Sequence, residues 1–240
     1  YHIILVGKRD VLNAELAKHN VSKGIIEIHD APQIVGMGES PVASIRSKKN
    51  SSISVAVRLV KEKKADAFVS AGNTGAVVCA ATFTLGLLSG IERPGISVVF
   101  PTSNGTNAMM IDVGANIDPK PAHLFQYGLM ADAYSRYILG KPNPAVGLLS
   151  IGEEASKGTD FVKETHKMLN KSQLNFIGNM EGRDIFTGKC DVVVCDGFAG
   201  NIALKITESL AGAVSTLLKR ELSRNIVTKV GAVLCWSTFR

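Results

Sequence analysis

The sequence predicts an α/β fold in which a mostly parallel, doubly wound sheet carries helices on both faces. Short β-branched segments alternate with longer helical patterns along the chain, as in strand–helix–strand units. Several strand segments are apolar at successive positions, for example Val192-Val193-Val194, which indicates burial of both sheet faces. A composition of 45% apolar and 20% charged residues fits a globular protein with a sizeable core.

The predicted elements follow one another without a repeat or a low-complexity linker. We therefore expect one α/β domain over residues 1–240, with residues 101–105 as a weak candidate seam. The predicted strands are Ile3–Val6, Ile25–Ile28, Ala67–Ser70, Ile96–Phe100, Met109–Asp112, Val146–Ser150, Asn175–Gly178 and Val192–Cys195. The predicted helices are Val11–His19, Ser52–Lys63, Thr74–Leu88, Ala122–Leu139, Thr159–Leu169 and a longer region from Ile202 to Leu234.

The net charge of +6, from 27 basic and 21 acidic residues, is modest. No interleaving of basic and aromatic residues accompanies it, so nucleic acid is not an expected partner. The positive charge is compatible with an anionic partner, which could be phosphate, an acidic carrier protein or an anionic membrane surface.

The four cysteines are scattered and form no Cys-x-x-Cys pair. Neither a disulfide framework nor a structural zinc site is expected, and reduced thiols in the cytoplasm are the default. No apolar stretch approaches the roughly 20 residues of a membrane-spanning helix.

In an open α/β sheet the ligand lies beyond the carboxyl ends of the strands, so the turns there are candidates for chemistry. The first candidate turn is Gly72-Asn73-Thr74-Gly75. Glycines allow close backbone approach to a ligand, and a helix start favours an anion. An equally good interpretation is an ordinary connection in which Asn73 or Thr74 is the N-cap.

The second candidate turn follows the strand ending at Asp112 and contains Asn116. These side chains lie where they could orient a ligand or a neighbouring group. A structural role in the turn is narrowly favoured, and Pro121 suits the start of the next helix.

The third candidate turn contains Glu154, Ser156 and Lys157. A lysine among small residues just before a helix can neutralise a phosphate or polarise a carbonyl group. The alternative is an exposed charged loop. The Walker A order of glycines and lysine is missing.

The fourth candidate turn runs from Asp196 to Asn201 and includes Gly197, Phe198 and Gly200. We expect it to form another anion site lined by N–H groups, with Phe198 excluding water. The alternative is a tight turn in which Asn201 is the N-cap. Three of the four turns share one design, which favours convergence on an anionic ligand.

Read together and in this order, the turns resemble the phosphate acyltransferase (PlsX) family of bacterial phospholipid synthesis. The similarity runs almost continuously from about Ile3 to Ala232. The segments that carry it are ADAFVSAGNTGA (65–76), IDVGANIDPKPAHL (111–124), VGLLSIGEEASKG (146–158), NFIGNMEGRDIF (175–186) and DVVVCDGFAGN (191–201).

The resemblance implies an enzyme that transfers a long acyl chain from acyl carrier protein to inorganic phosphate, giving an acyl phosphate for phosphatidic acid synthesis. It also implies the fold of phosphotransacetylases and isopropylmalate dehydrogenases, a cytoplasmic homodimer with peripheral membrane contact, and no metal or organic cofactor. The family pattern extends beyond both ends of this sequence, so we expect a fragment. The alternatives are a phosphotransacetylase-like enzyme that uses acyl-coenzyme A, and a non-catalytic protein that binds the carrier.

For this chemistry, Lys157 is predicted to neutralise charge on phosphate or on the oxyanion, while Asn73 and Asn201 donate hydrogen bonds. The predicted substrate-binding residues are Gly72, Thr74, Gly75, Asp112, Asn116, Glu154, Ser156, Asp196, Gly197, Phe198 and Gly200. An apolar stripe in the last helical region indicates core or dimer contact more than a membrane surface. Its residues are Leu218, Leu222, Ile226, Val230 and Val233.

Overall fold

A computed structural model describes residues 1–20 and 24–235 of the chain. The chain divides into two compact units, Tyr1–Pro94 and Gly95–Arg240. The boundary thus precedes residues 101–105, which comprise the last residue of the strand Ser97–Pro101 and most of its connection to the antiparallel strand Asn107–Ile111 in the second unit. A single domain over the whole chain stays a prediction.

The first unit combines a two-stranded parallel sheet with helices. The predicted strand Ala67–Ser70 is wrong, because these residues join no strand ladder. Phe68 packs against a helical core cluster while Val69 stays 99% exposed, so burial of one side chain holds the segment without strand pairing. The elements are β1 (Ile3–Gly7), α1 (Arg9–Leu16), β2 (Ile26–Asp30), α2 (Pro41–Ser47), α3 (Ser52–Lys61) and α4 (Thr74–Leu85).

Helix α3 connects the two hydrophobic clusters of this unit. Ser51 caps it by accepting a hydrogen bond from the Ser54 N–H. Its apolar residues alternate along the sequence, yet on a helix they form two i, i+4 pairs. Ile53 and Val57 pack in the cluster shared with α4, whereas Val55 and Leu59 pack in the cluster beneath β1.

The second unit is built on a five-stranded sheet in the order β3-β4-β7-β5-β6. The β3–β4 pair is antiparallel, and β4, β7, β5 and β6 are parallel neighbours, which confirms the mostly parallel α/β class. A 3₁₀ helix, Gly182–Phe186, follows β6. The other elements are β3 (Ser97–Pro101), β4 (Asn107–Ile111), α5 (Pro121–Tyr137), β5 (Val146–Leu149), α6 (Asp160–Asn170), β6 (Phe176–Met180), β7 (Val192–Val194), α7 (Gly197–Leu222) and α8 (Ile226–Leu234).

Both faces of this sheet are covered, as the apolar run in β7 predicts. Val192 and Val194 belong to the cluster under α5 and α6, whereas Val193 belongs to the opposite cluster, which Leu204 of α7 also contacts. All three valines are 0% exposed. Each such side chain stabilises the fold by roughly 1.5–3 kcal/mol relative to an exposed one.

The predicted helical region from Ile202 to Leu234 differs from the structure at both its start and its middle. Helix α7 begins earlier, at Gly197, and ends at Leu222. Helix α8 starts afresh at Ile226 because Asn225 forms a capping box with Thr228. The predicted apolar stripe is therefore divided between two helices. Within residues 1–20 and 24–235, no helix has both the length and the apolar character required to cross a bilayer.

Candidate active site

Three of the four candidate turns lie at one edge of the sheet in the second unit. The strands β4, β7 and β5 are parallel neighbours, so their carboxyl ends share one edge. The turns after them contain Asp112, Asp196 and Lys157, respectively. This edge is the expected ligand position in an open α/β sheet.

The turn after β4 is organised by the carboxylate of Asp112, which is fully buried. Asn116 binds that carboxylate through both its backbone N–H and its side-chain amide, at 2.8 and 3.1 Å from Oδ2. Three further backbone N–H groups donate to Oδ1, those of Ile96, Gly114 and Ala115. Because five hydrogen bonds occupy the carboxylate, Asp112 shapes the turn, the structural role that the sequence narrowly favoured.

The turn after β7 is the start of helix α7, capped by Asp196. The anion site lined by free N–H groups, expected here from the sequence, is not supported, since each N–H of the first turn has an internal acceptor. Gly197 donates to Asn116 O, Phe198 and Ala199 donate to Asp196 Oδ1, and Gly200 donates to Asp196 O.

Two glycines allow α7 to pack directly on the Asp112 turn. A Cβ atom at Gly200 would lie 1.9 Å from Asp112 O, and one at Gly197 would lie 2.5 Å from Asn116 O. The glycines in this turn therefore serve backbone packing.

Asn201 is not the N-cap of α7 but lies inside the helix, where it is exposed. Its side-chain oxygen is 3.5 Å from the position that a Cβ atom of Gly114 would occupy. The close helix packing thus places its amide beside the glycine of the neighbouring turn. Phe198, predicted to exclude water, is 59% exposed.

The loop after β5 presents Lys157, which is exposed. Among the described residues, its ammonium group makes no hydrogen bond or ion pair, whereas its backbone N–H donates to Glu154 O at 2.9 Å. Within the same part of the chain, the backbone N–H groups of residues 152–156 also have no acceptor. Both Glu154 and Ser156 are exposed. This loop therefore combines an uncommitted cation with uncommitted backbone donors, the combination that binds an oxyanion.

The thiol nearest this edge is unsuited to act as a nucleophile. Cys195 is buried, and its Sγ lies 3.2 Å from Asp112 O. Burial, followed by the charges of Asp196 and Asp112, raises the pKa of this thiol. Because the thiolate is the reactive form, Cys195 stays inert at neutral pH.

The remaining candidate turn belongs to the first unit, where Asn73 is the N-cap of α4, one of its two predicted roles. Its Oδ1 accepts from the Ala76 N–H at 3.0 Å. Its Nδ2 donates to three backbone carbonyls, those of Gly36, Met37 and Glu39. Asn73 is 6% exposed, so its amide is committed to holding the preceding loop against the helix.

The other residues of this turn have structural roles of their own. A Cβ atom at Gly72 would lie 2.9 Å from Met37 Sδ, and one at Gly75 would lie 2.7 Å from Pro41 Cγ. Thr74 is exposed and is the first residue of helix α4. Close packing thus explains both glycines, and participation of this turn in substrate binding stays a prediction.

Glu39, in the loop held by Asn73, makes the stability of the first unit depend on pH. Lys48 donates to its carboxylate at 2.6 and 2.7 Å, and the Ser44 hydroxyl donates at 2.7 Å. The hydrogen bonds from Lys48, then Ser44, hold the pKa of Glu39 at about 2, below its ordinary 4.5. A lowered folded-state pKa contributes stability that is complete above pH 4.5 and lost as the pH falls toward 2.

We therefore expect Glu39→Gln to lower the thermal midpoint at pH 7, with the difference from the parent shrinking as the pH falls from 4.5 to 2. Thermal unfolding followed by circular dichroism at several pH values measures this. Lys48→Met, which removes the partner instead, should reproduce the trend. A difference that stays constant down to pH 2 would contradict the assignment.

Comparison with known proteins assigns the chain to a family. The sequence model of a family described as "Fatty acid synthesis protein" matches residues 1–240. A phosphate acyltransferase of Halothermothrix orenii is 48% identical over 97% of this chain and 70% of its own length. One of Trichlorobacter lovleyi is 48% identical over 99% of this chain and 69% of its own length.

Solved structures agree on the fold. A phosphotransacetylase from Streptococcus pyogenes superposes with a TM-score of 0.57 at 19% identity, covering 88% of this chain and 82% of its own. A branched-chain phosphotransacylase from Enterococcus faecalis V583 gives a TM-score of 0.50 at 15% identity, covering 85% and 83%. The resemblance drawn from the turns is thus confirmed: the chain belongs to the fatty acid synthesis protein family that includes the phosphate acyltransferases, and it is an acyltransferase that uses phosphate.

Proposed function

We propose that the protein transfers a long acyl chain from acyl carrier protein to inorganic phosphate, and that the acyl phosphate enters phosphatidic acid and phospholipid synthesis. The observation that carries the proposal is the loop after β5, in which Lys157 and the backbone N–H groups of residues 152–156 have no partner among the described residues. Phosphate carries between one and two negative charges at neutral pH and fits such a set of donors.

The reaction needs little covalent assistance. A phosphate oxygen attacks the thioester carbonyl, a C–O bond forms, and the C–S bond of the tetrahedral intermediate breaks. The thiolate leaves readily and takes a proton from solvent, because the pKa of a thiol is about 8.5. The protein must hold the two reactants together and stabilise the oxyanion.

Five of the candidate residues have roles in this scheme that follow from their surroundings. Lys157 neutralises charge on phosphate or on the oxyanion, and the exposed amide of Asn201 donates a hydrogen bond at the same edge. Asp112, Asn116 and Asp196 act through the backbone they hold. Substrate binding by the Asn73 turn of the first unit remains a separate proposal.

The proposal is tested by following thiol release from long-chain acyl carrier protein with and without inorganic phosphate. Release that depends on phosphate, with acyl phosphate as product, supports the proposal. Faster reaction with acyl-coenzyme A would instead favour the phosphotransacetylase-like alternative. Binding of the carrier protein without thiol release would favour a non-catalytic role.

We also propose a homodimer with peripheral contact to the membrane. Helix α7 exposes Ile206 and Leu210 at 61% and 62%, and α8 exposes Ile226 at 80%. Large apolar side chains that are exposed together on two consecutive helices favour a surface that another molecule covers. Light scattering that gives the mass of one chain would contradict the dimer, and failure to sediment with anionic phospholipid vesicles would contradict membrane contact.

A further inference from the structure

The strand β6 carries a buried polar side chain beside the Lys157 loop. Asn179 is 4% exposed, one residue before the strand ends at Met180. Its Nδ2 donates a hydrogen bond of 2.9 Å to the carbonyl oxygen of Glu154. Its Oδ1 is buried with no hydrogen-bond partner in the described part of the chain.

The accepting carbonyl group is the one that shapes the loop around Lys157. Glu154 O also accepts the hydrogen bond from the Lys157 N–H at 2.9 Å. One carbonyl oxygen therefore joins the rigid sheet to the backbone of the candidate catalytic lysine. The loop is also crowded at this point, since a Cβ atom at Gly152 would lie 2.9 Å from Lys157 Cγ.

A second attachment of the same loop is exposed. Lys189 donates to Glu153 Oε1 at 2.6 Å, with the two side chains 42% and 52% exposed. Exposed ion pairs contribute about 0–1 kcal/mol. The hydrogen bond from the buried Asn179 amide is shielded from solvent and needs no second charged side chain, so we expect its loss to cost more, about 0.5–1.5 kcal/mol. Asn179 is thus the stronger of the two attachments.

We infer that Asn179 is a positioning residue: it holds the Glu154 carbonyl so that Lys157 and the N–H groups before it face the substrate anion. The inference rests on the proposed function, because that function gives Lys157 its role. The hydrogen bond from Nδ2 to this loop accounts for a buried polar side chain near the end of β6.

The test is a double-mutant cycle between Asn179 and Lys157. In the parent chain, Asn179→Ala should lower kcat/KM for inorganic phosphate about 10–100-fold, since a misplacement of about 1 Å caused by a remote substitution can cost about 10²-fold. In the Lys157→Ala background, the same change should lower kcat/KM less than about fivefold, because only the backbone N–H groups remain to be misplaced and residues that act together are not additive. If Asn179→Ala does not fold, the uncharged Asn179→Leu, which has a similar shape, replaces it.

The matched control is Lys189→Ala, which removes the exposed attachment together with a longer ion pair of 3.9 Å to Asp184, and it should stay within about twofold of the parent. Equal losses from Asn179→Ala in both backgrounds, or no loss in the parent, would overturn the inference. A parent that shows no phosphate-dependent thiol release would instead refute the proposed function. Hydrogen exchange at the Lys157 amide then decides alone, because this N–H is hydrogen-bonded to Glu154 O, the carbonyl that Asn179 holds. Asn179→Ala should accelerate its exchange at least about tenfold, and unchanged exchange would refute the attachment.

Discussion

Replacing Lys157 with alanine is expected to lower phosphate-dependent turnover about 10²–10³-fold, the usual cost of removing one group that stabilises the developing oxyanion. The size of the effect follows from the absence of a partner for its ammonium group among the described residues. Within residues 1–20 and 24–235, no ion pair competes with the substrate for this charge. Initial rates of thiol release at varied phosphate concentration give the measurement.

The matched control for this result is Lys163→Ala. Lys163 lies on the following helix, α6, and its ammonium group is 3.4 Å from Asp160. Its removal lowers the net charge by the same amount and should leave turnover unchanged. Near-normal turnover in Lys157→Ala, or an equal loss in both variants, would refute the catalytic role of Lys157.

Gly200→Ala is expected to lower the free energy of unfolding by about 3 kcal/mol or more, through overpacking against the backbone. The added Cβ atom would lie 1.9 Å from Asp112 O and 2.8 Å from Cys195 Sγ. The carbonyl cannot easily move, because five hydrogen bonds fix the Asp112 turn. Urea denaturation followed by circular dichroism measures the loss.

Gly212→Ala provides the control on the same helix. Gly212 lies in α7 with nothing within 4 Å of its added Cβ atom. Since alanine is the better helix former, this variant should be about 0.8–1 kcal/mol more stable than the parent. Destabilisation of both variants to the same extent would show that the close contact at Gly200 is not the cause.

The fold class and most elements follow from patterns that are local in the sequence. The apolar run in β7 predicts burial of both sheet faces, and the structure confirms it. The helix predicted from Ser52 does begin at Ser52, and Ser51 directly before it is the cap. Such signals succeed because a cap or a strand face depends on residues within a few positions.

The predictions that failed concern features that depend on residues far away in the sequence. Ala67–Ser70 has strand composition but finds no strand to pair with. The glycines at 197 and 200 were predicted to line an anion site, whereas they admit the backbone of the Asp112 turn. Asn179 was not singled out, although an asparagine at the end of an otherwise apolar strand was a visible signal.

The sequence by itself determined the α/β class, the family and the positions of the turns that follow the strands, because composition and short-range spacing carry that information. The tertiary structure alone decided which polar groups are committed and which are free. Three polar side chains are hydrogen-bonded to backbone within the fold: those of Asp112, Asp196 and Asn73. The ammonium group of Lys157, in contrast, has no partner among the described residues. A hydrogen-bonding group satisfied inside the fold is no longer available to a ligand, and only the three-dimensional arrangement shows which groups are satisfied.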